Sequence, residues 1–414
     1  MVMTDIQALR RSEAPAIATV ARSSGMSQRA AQDIIVEMAG ASRLAQLRSA
    51  WSDLLPRADA PNVFMDPAVV QVAAEIEPNA HHRALLAWQQ IDGQPRLAGI
   101  WALSIGRVKK SALPMRVVTV PPHLHCNLAT PVIDRDCLDE VLDAMLDSIA
   151  ADPELPNIVA LDGMATDGLT FAALTRVLAA RGSAPCIFEQ FNRPKLQSRL
   201  DGKTYLEQAL SSSTRKKLRQ QRRRLSEKGA LTTRIVSRPD DVATALGDFL
   251  AIEAAGWKGR QGTALLCNDN HVALVRGTVA SLAAASCVSI HSLYLGDAPV
   301  SMQIILRAGP VAFTWKTTYD ERFRDYSPGM LLFEDYTTAF LADPSIALVD
   351  SCSLDDSSYM SAWIERQAVA DLWIDARRNG SLEFRILSAL QRNYRDLRAA
   401  TKSAYLALRK SRKR

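Results

Sequence analysis

Residues 309–355, GPVAFTWKTTYDERFRDYSPGMLLFEDYTTAFLADPSIALVDSCSLD, decide the fold because they read as strand, loop, helix and strand. The run Val311–Thr318 predicts one strand, and Ile346–Val349 predicts a short buried strand that ends on Asp350. Between them, Ser327–Gly329 opens a helix with apolar periodicity. The N–H groups at such a helix start have no intrahelical partner, and the helix dipole adds partial positive charge there. The stretch predicts a seat for an anion such as a pyrophosphate, although Ser-Pro-Gly is also typical of a plain N-cap.

The composition is that of a globular protein with room for two domains. The chain has 414 residues, of which 48% are hydrophobic and 23% charged, and a net charge of +6, whereas single cores stop growing at about 250–300 residues. We expect a cytoplasmic protein, because the N-terminus lacks a signal-peptide h-region and no stretch approaches ~18 uncharged apolar residues. The six cysteines form no C-x-x-C pair and are expected to be reduced, with Cys352 as a candidate nucleophile.

Strand and helix patterns alternate in both halves of the chain, which predicts an α/β protein. Asp92–Pro95 and Gly296–Pro299 each join two predicted strands as a hairpin, at equivalent places in the two halves. The pair favours an internal duplication, although turns of this composition are common. We predict five segments: a mobile leader at 1–46 with a helix around 28–38, a first lobe at 47–200, a basic helical arm at 201–230, a second lobe at 231–375, and a basic helical tail at 376–414.

The arm is the most basic part of the chain. Thr204–Glu207 has the pattern of a capping box, and TRKKLRQQRRRLSEKG at 214–229 holds eight cations against one acid, Glu227. Cations near a helix start oppose its dipole, which argues that an anionic group helps to hold them. A solvated linker face, a phosphorylated ligand between the lobes, and nucleic acid are all open; nucleic acid is least favoured because no aromatic residues are interleaved. Arg215 and Arg219 are candidate anion-binding residues.

A second unusual string, EAAGWKGRQGTA at 253–264, places a Trp, two cations and three glycines at a helix end. Glycines allow a ligand to approach the backbone, and Lys and Arg bind phosphate. Trp257, Lys258 and Arg260 are therefore candidate anion- or substrate-binding residues, with a Gly-terminated helix as the alternative. The histidines show no metal spacing on a helix, so we expect no metal. No G-x-S-x-G, Walker A or strand-borne G-x-G-x-x-G motif occurs.

Three strings in order, WKGRQGTAL (257–265), WKTTYDERFRDYSPGMLL (315–332) and VDSCSLDDS (349–357), resemble a known family. They look like the bacterial acetyltransferases of the GNAT superfamily with a BioF2-like domain, akin to CelD-type cellulose-biosynthesis proteins. The resemblance covers roughly residues 47–375, and the layout is similar to that of the tandem-GNAT FemABX transferases. It implies two tandem GNAT-like lobes, each with a mixed, largely antiparallel sheet flanked by helices.

The resemblance also implies where an acyl donor binds. GNAT enzymes hold the pyrophosphate of acyl-CoA on a turn of the form Q/R-x-x-G-x-G/A, and the segment from Arg324 to Gly329 has that spacing, with Ser327 replacing the first glycine. Pro328 has no N–H to donate, but the Ser327 hydroxyl can supply a donor. Trp315 and Lys316 alternate faces of their strand, so one of them should point at the ligand. The implied acyl-CoA (acetyl-CoA) residues are Arg324, Ser327, Gly329, Met330 and Lys316.

Mechanistically, the resemblance implies direct attack of an amine on an acyl thioester, with a base or water path for the proton and donors for the oxyanion. The candidate bases are Asp350, Asp320 and Glu253, each of which could instead cap a helix or pair with a cation. The expected function is an acyl-CoA-dependent N-acyltransferase that acts on a small-molecule or saccharide amine in polysaccharide or envelope metabolism.

Two alternatives to this function are open. One is FemABX-type transfer from aminoacyl-tRNA, with the arm holding the RNA; the arm is short for that role, so tRNA is a less favoured partner. The other is a non-catalytic scaffold that docks through its basic tail, which is also a candidate for peripheral membrane contact. DNA is not expected as a partner.

Overall fold

One mixed sheet runs through the part of the chain that the computed structural model describes, residues 34–107, 115–353 and 359–411. Its order is β1-β2-β3-β4-β6-β13-β7-β12-β11-β10-β9-β8, with β5 paired to β3. The thirteen strands are β1 (Ile34–Ala39), β2 (Arg83–Ile91), β3 (Gln94–Arg107), β4 (Arg116–Val120), β5 (Val132–Ile133), β6 (Ile158–Ala165), β7 (Cys186–Leu196), β8 (Leu231–Val236), β9 (Val288–Leu295), β10 (Ala298–Ala308), β11 (Val311–Tyr319), β12 (Leu348–Asp350) and β13 (Glu365–Asp375).

Helices cover both faces of the second half of this sheet. The side chains of β9 alternate, so that Ile290 packs with α8 and α10 on one face while Leu293 packs with α7 and α11 on the other. No helix of the described residues is long and apolar enough to cross a membrane. The helices are α1 (Ala41–Leu44), α2 (Arg48–Leu54), α3 (Pro67–Ile76), α4 (Leu138–Ala151), α5 (Leu169–Ala180), α6 (Gly202–Ala209), α7 (Ser212–Ser226), α8 (Pro239–Ala255), α9 (Trp257–Arg260), α10 (Asp269–Ala284), α11 (Pro328–Ala342) and α12 (Leu382–Ser411).

The same strand order occurs twice. Strands β1 to β4 form an antiparallel ribbon whose last member pairs in parallel with β6, and β8 to β11 form a second ribbon whose last member pairs in parallel with β12. The two predicted hairpin turns join the second and third strands of each ribbon. The prediction of two similar, largely antiparallel halves is therefore confirmed.

The two halves are interlocked at the centre of the sheet. The last strand, β13, inserts between β6 and β7 of the first half, while β7 also pairs with β12 of the second half. The segments 47–200 and 231–375, predicted as successive lobes, therefore do not form separate sheets. The pairing of β13 with β6 and β7 joins residues far apart in the sequence and leaves no local pattern. The sequence therefore did not predict β13.

The folded chain begins earlier than predicted. The stretch assigned to a mobile leader with a helix at 28–38 contains β1, which pairs along its whole length with β2. The apolar residues of IIVEMA fit a helix as well as an edge strand, so periodicity alone did not decide; residues 1–33 lie outside the described part. At α6, the Asp201 carboxylate accepts the Thr204 N–H at 3.1 Å, so the cap lies three residues before the predicted capping box. The predicted tail helix is α12, which packs on β7 and β13.

Candidate functional site

The end of β11 and the start of α11 form the frame of the site. β11 pairs with β12 only at Val311–Phe313, so its second half has no strand partner on that side among the described residues. The chain then makes a 3-10 turn, Glu321–Tyr326, and enters α11 at Ser327. Because Pro328 has no N–H, Gly329 provides the first N–H of the helix that is free to face a ligand.

Ser327 adopts the left-handed conformation, with φ 49° and ψ 52°, which favours glycine. A residue with a Cβ is disfavoured there by roughly 1–2 kcal/mol, so its neighbours must hold the turn. Gln221 Nε2 of α7 donates to Ser327 Oγ at 3.0 Å and to the Asp325 carbonyl at 3.1 Å. The Ser327 hydroxyl keeps its own hydrogen, which can be donated to a bound anion.

A cavity of about 340 Å³ lies between this turn, the end of β11 and the α8–α9 junction. Its lining includes seven of the residues predicted for the site: Glu253, Trp257, Lys258, Arg324, Ser327, Gly329 and Met330. The remaining lining residues are Gly256, Thr317, Thr318, Tyr319, Glu321, Pro328 and Tyr359. Predicted residues that do not line this cavity are Asp320, Asp350, Lys316, Arg260, Arg215 and Arg219.

Glu253 is a buried carboxylate at one wall of the cavity. One of its oxygens accepts Lys258 Nζ at 2.7 Å and the other accepts the Leu265 N–H at 2.9 Å, while its side chain is only 4% exposed. These two bonds fold the segment after α8 back on itself and keep the Lys258 ammonium at the cavity. Glu253 is thus the one candidate base that the structure places at the cavity.

Glu321 holds the helix α9, which follows α8, through two hydrogen bonds. Its carboxylate accepts the Trp257 N–H at 2.6 Å and Arg260 Nη2 at 2.6 Å. The guanidinium of Arg260 is therefore held by an acid of the turn and does not line the cavity, unlike the neighbouring Lys258. The sequence suggested Arg260 as an anion ligand because its ion-pair partner, Glu321, lies 61 residues away and could not be recognised.

A bulge in β11 brings two consecutive side chains onto one residue of the first half. The register against β10 shifts at Trp315, whose Nε1 donates to the His125 carbonyl at 2.6 Å, while Lys316 Nζ lies 3.1 Å from His125 Nδ1. The prediction that Trp315 and Lys316 point to opposite faces is wrong, because an inserted residue resets the alternation. The His125 ring packs edge-on against His271 at 4.9 Å. Burial and the nearby Lys258 charge lower the pKa of Lys316 to about 8.

Asp350, the first candidate base, lies in a buried ion pair at the centre of the sheet. Its carboxylate is 3.2 Å from the guanidinium of Arg193 on β7, and both side chains are at most 2% exposed. Asp350 Oδ1 also accepts the Cys352 N–H at 2.7 Å, and Arg193 donates to the Asn127 carbonyl at 2.8 Å. This placement is that of a charge pair joining the two halves, away from the cavity.

Asp320 and Cys352, two further candidates, also lie outside the cavity lining. Asp320 caps the 3-10 turn by accepting the Arg322 N–H at 3.0 Å, and the guanidinium of the same residue lowers the pKa of Asp320. Burial raises the pKa of the Cys352 thiol well above its usual range, so the nucleophilic thiolate is not formed at neutral pH. Among the described residues, no three His, Cys, Asp or Glu side chains are arranged to hold a metal ion.

The basic arm is a packed helix rather than a loose linker. Arg222 of α7 donates to Asp335 at 2.7 Å and to the Leu331 carbonyl at 3.0 Å, which ties the arm to α11. Arg215 faces Glu207 at 3.5 Å, whereas Arg219 is exposed. The arm therefore covers the turn that precedes α11 and presents a cationic face to solvent.

Sequence reasoning missed the hydroxyl groups of the cavity and the contribution of the first half. Tyr359 lines the cavity with its hydroxyl 3.3 Å from Thr317 Oγ1, and burial raises its pKa. No local pattern marks Tyr359, which follows the undescribed residues 354–358. His125 was not among the predicted site residues, because nothing near it in the sequence points to β11.

The chain is similar to known proteins in part of its sequence and in its fold. Residues 212–351 match the acetyltransferase (GNAT) domain family. The crystal structure of FemX superposes with a TM-score of 0.55 at 13% identity, covering 83% of this chain and 98% of that one. No curated protein sequence matches the chain.

Two further solved structures are similar at lower scores. A conserved protein of unknown function from Bacteroides thetaiotaomicron has a TM-score of 0.48 at 12% identity and covers 80% of this chain and 97% of its own. A tandem GNAT protein from the clavulanic acid biosynthesis pathway has a TM-score of 0.40 at 14% identity and covers 83% and 99%. Residues 212–351 therefore match the GNAT acetyltransferase domain family, and the fold of the chain is similar to that of FemX.

Proposed function

We propose that the chain is an acyl-CoA-dependent N-acyltransferase that binds its donor in the cavity between β11, α9 and α11. The observation that carries this proposal is the coincidence of the cavity with the start of α11. Gly329, Ser327 and Arg324 all line it, and together they supply a free helix N–H, a hydroxyl and a guanidinium. A helix N-terminus with such donors is suited to a pyrophosphate.

The opposite wall supplies charge for the rest of the donor. The Lys258 ammonium, held by Glu253, lines the cavity, and Lys316 lies close enough to both that they shift its pKa. A partly buried ammonium attracts a developing oxyanion more strongly than one in water, because the local dielectric is lower. Lys316 is thus proposed to act from behind the cavity rather than as a ligand of the pyrophosphate.

Acyl transfer needs a proton donor for the leaving thiolate. The amine nitrogen bonds to the thioester carbonyl carbon, the C–S bond breaks, and the CoA sulfur takes up a proton. The Tyr359 hydroxyl lines the cavity and is proposed to give that proton. The amine proton leaves through Glu253 or a water that Glu253 binds; of the three candidate bases, it is the one at the cavity.

Calorimetric titration with acetyl-CoA, octanoyl-CoA and free CoA tests the proposal. We expect thioester binding at micromolar to low millimolar concentration, weakened about tenfold in Arg324→Glu and unchanged in Arg276→Glu, whose exposed side chain lies on α10. Absence of binding by all three ligands at millimolar concentration would exclude the proposed donor. If a thioester binds, mass spectrometry of a reaction with a mixture of amines would identify the acceptor by its mass increase.

A further inference from the structure

We propose that the exposed face of α7 docks an acidic carrier protein, which delivers the acyl group on a phosphopantetheine arm. The inference rests on the proposed function, because the arm of the carrier would enter the same cavity as acyl-CoA. It goes beyond that function by naming the macromolecule that presents the donor. Three observations carry it: the charge of the face, the lack of ion-pair partners for three of its cations among the described residues, and its position beside the cavity.

The two sides of α7 differ sharply. Leu218, Gln221 and Leu225 are buried against the fold, and an ideal helix of 3.6 residues per turn places the opposite side in solvent. That exposed side holds a single acid, Glu227. Its cations are Lys216, Lys217, Arg219, Arg223, Arg224 and Lys228.

Three of these cations have no ion-pair partner in the part of the chain that the structure describes. Arg222 and Arg215, at the edges of the helix, are matched by Asp335 and Glu207. On the exposed face, no acid of the described residues lies within ion-pair distance of Lys216, Lys217 or Arg219. Repulsion among like charges on one helix face lowers the stability of the helix. An external polyanion that binds to this face would relieve the repulsion and would be attracted by all of its cations.

The cationic face adjoins the phosphate end of the cavity. Gln221, on the buried side of α7, hydrogen bonds to Ser327 at the helix start that would hold the pyrophosphate. Arg224 and Lys228 lie over the ring of Tyr326, one residue earlier, at 5.6 and 5.8 Å. A phosphopantetheine whose phosphate sits at Ser327 would therefore emerge beside α7, where its carrier would be located.

The length of the face distinguishes a macromolecule from free coenzyme. α7 has 15 residues, or about 22 Å at 1.5 Å per residue. The phosphates of CoA are clustered at one end of that molecule and would contact only the part of the helix nearest the turn. A row of cations along the entire helix matches an extended anion, such as an acidic helix of a partner protein.

An acidic protein fits this face better than RNA does. Non-specific recognition of single-stranded RNA combines cations with aromatic side chains on which bases stack. Residues 212–228 contain no aromatic residue, and Tyr326 is covered by Arg224 and Lys228. In the reaction, the amine nitrogen bonds to the acyl carbon, the C–S bond to the carrier's pantetheine breaks, and the carrier leaves as the protonated thiol.

The test uses the full chain and an octanoyl-loaded bacterial acyl carrier protein, compared with octanoyl-phosphopantetheine and octanoyl-CoA. Biolayer interferometry at 50 and 200 mM NaCl gives the affinities. We expect the loaded carrier to bind at least tenfold more tightly than octanoyl-phosphopantetheine at 50 mM NaCl, and to lose most of this advantage at 200 mM because the contact is ionic.

Charge reversal locates the contact. The variant K216E/K217E/R219E should weaken carrier binding at least tenfold and octanoyl-CoA binding less than twofold. The matched control R276E/R385E/R398E makes the same change of net charge on exposed residues of α10 and α12 and should leave both affinities unchanged.

Two results would overturn the inference while leaving the proposed function intact. One is that octanoyl-CoA binds but the loaded carrier binds no more tightly than octanoyl-phosphopantetheine. The other is tighter binding of bulk tRNA than of the carrier, abolished by the same α7 variant. If octanoyl-CoA itself does not bind, it is the proposed function that fails, so the two failures are distinguishable.

Discussion

Replacing Asp350 by Asn decides whether this carboxylate serves the fold or the chemistry. Asn has nearly the same shape, and its side-chain oxygen can still accept the Cys352 N–H that Asp350 accepts at 2.7 Å. The change removes only the negative charge opposite Arg193, whose side chain is 1% exposed and 3.2 Å away. If the pair is structural, the variant is destabilised but keeps its cavity.

The size of the effect follows from the burial of the pair. Removing one partner of a buried ion pair costs about 3–5 kcal/mol, because the other charge is left uncompensated. Arg193 keeps its bond to the Asn127 carbonyl, so we expect a loss near 3 kcal/mol. For a chain of roughly 400 residues the unfolding entropy is about 0.8 kcal/mol/K, and the melting temperature should fall by about 4 °C.

Calorimetric melting of the Asp350→Asn, Arg193→Met and double variants measures this coupling. We expect the double variant to lose at least 2 kcal/mol less than the sum of the single losses, since neither charge is then left alone. Acetyl-CoA affinity of folded Asp350→Asn should stay within twofold of the parent. The structural assignment is refuted if this variant melts like the parent protein yet loses acyl transfer a hundredfold.

Three further predictions concern the turn and the buried lysine. Ser327→Ala and Ser327→Gly both remove the hydroxyl and should weaken acetyl-CoA binding about tenfold, but the Gly variant should be more stable than the Ala variant by about 1 kcal/mol, because φ is positive there. Gly329→Ala should weaken acetyl-CoA binding about tenfold. It should not lower the stability, since a Cβ at this position meets nothing within 4 Å. Calorimetry measures both the affinity and the stability of each variant. Lys316→Met should be more stable than the parent at pH 7, and the difference in melting temperature should shrink as the pH rises to 10.

The sign of the Lys316 effect follows from its pKa, which is lowered from the ordinary lysine value of 10.5 to about 8. Below pH 8 both folded and unfolded chains carry the proton, and the buried charge lowers stability. Between pH 8 and 10.5 only the unfolded chain binds it, so stability of the parent rises, by at most about 3 kcal/mol. A gap between Lys316→Met and the parent that does not change with pH would contradict this account.

Controls separate local from general effects at the turn. Gly247→Ala is the counterpart of Gly329→Ala, because Gly247 also lies in a helix with open space at its Cβ but does not line the cavity. It should leave acetyl-CoA affinity unchanged. Equal loss of affinity in both glycine variants would remove Gly329 from the site, and full affinity in both Ser327 variants would remove the hydroxyl.

Most of the second half could be predicted from the sequence because its signals are local. The strand β11 ends within one residue of the predicted Val311–Thr318, and the predicted turn at Gly296–Pro299 does join β9 to β10. The turn before α11 was recognised from Ser-Pro-Gly and the helix pattern that follows it, and its predicted ligand residues do line one cavity. Apolar periodicity and the residue preferences of turns extend over only a few residues, so they can be recognised in the sequence.

The candidate bases show where that reasoning stops. Asp350 and Asp320 lie at strand ends in the structure, Asp350 as the last residue of β12 and Asp320 directly after β11. Whether each faces a cavity or a cation depends on Arg193, 157 residues away, and on the course of the turn. A carboxylate carries no local mark of its partner, so only the folded chain distinguishes an ion pair from a base.

The sequence by itself determined the repeated strand-and-hairpin plan and the start of α11, where we propose that an anion binds. Both depend on short-range effects, the periodicity of apolar residues and the unpaired N–H groups of a helix start. Only the tertiary structure decided the insertion of β13 into the first half, the contact of Trp315 and Lys316 with His125, and the packing of α7 against Ser327. Each joins residues more than 100 positions apart, and such pairings arise from the burial and hydrogen bonding of the whole fold rather than from any local preference.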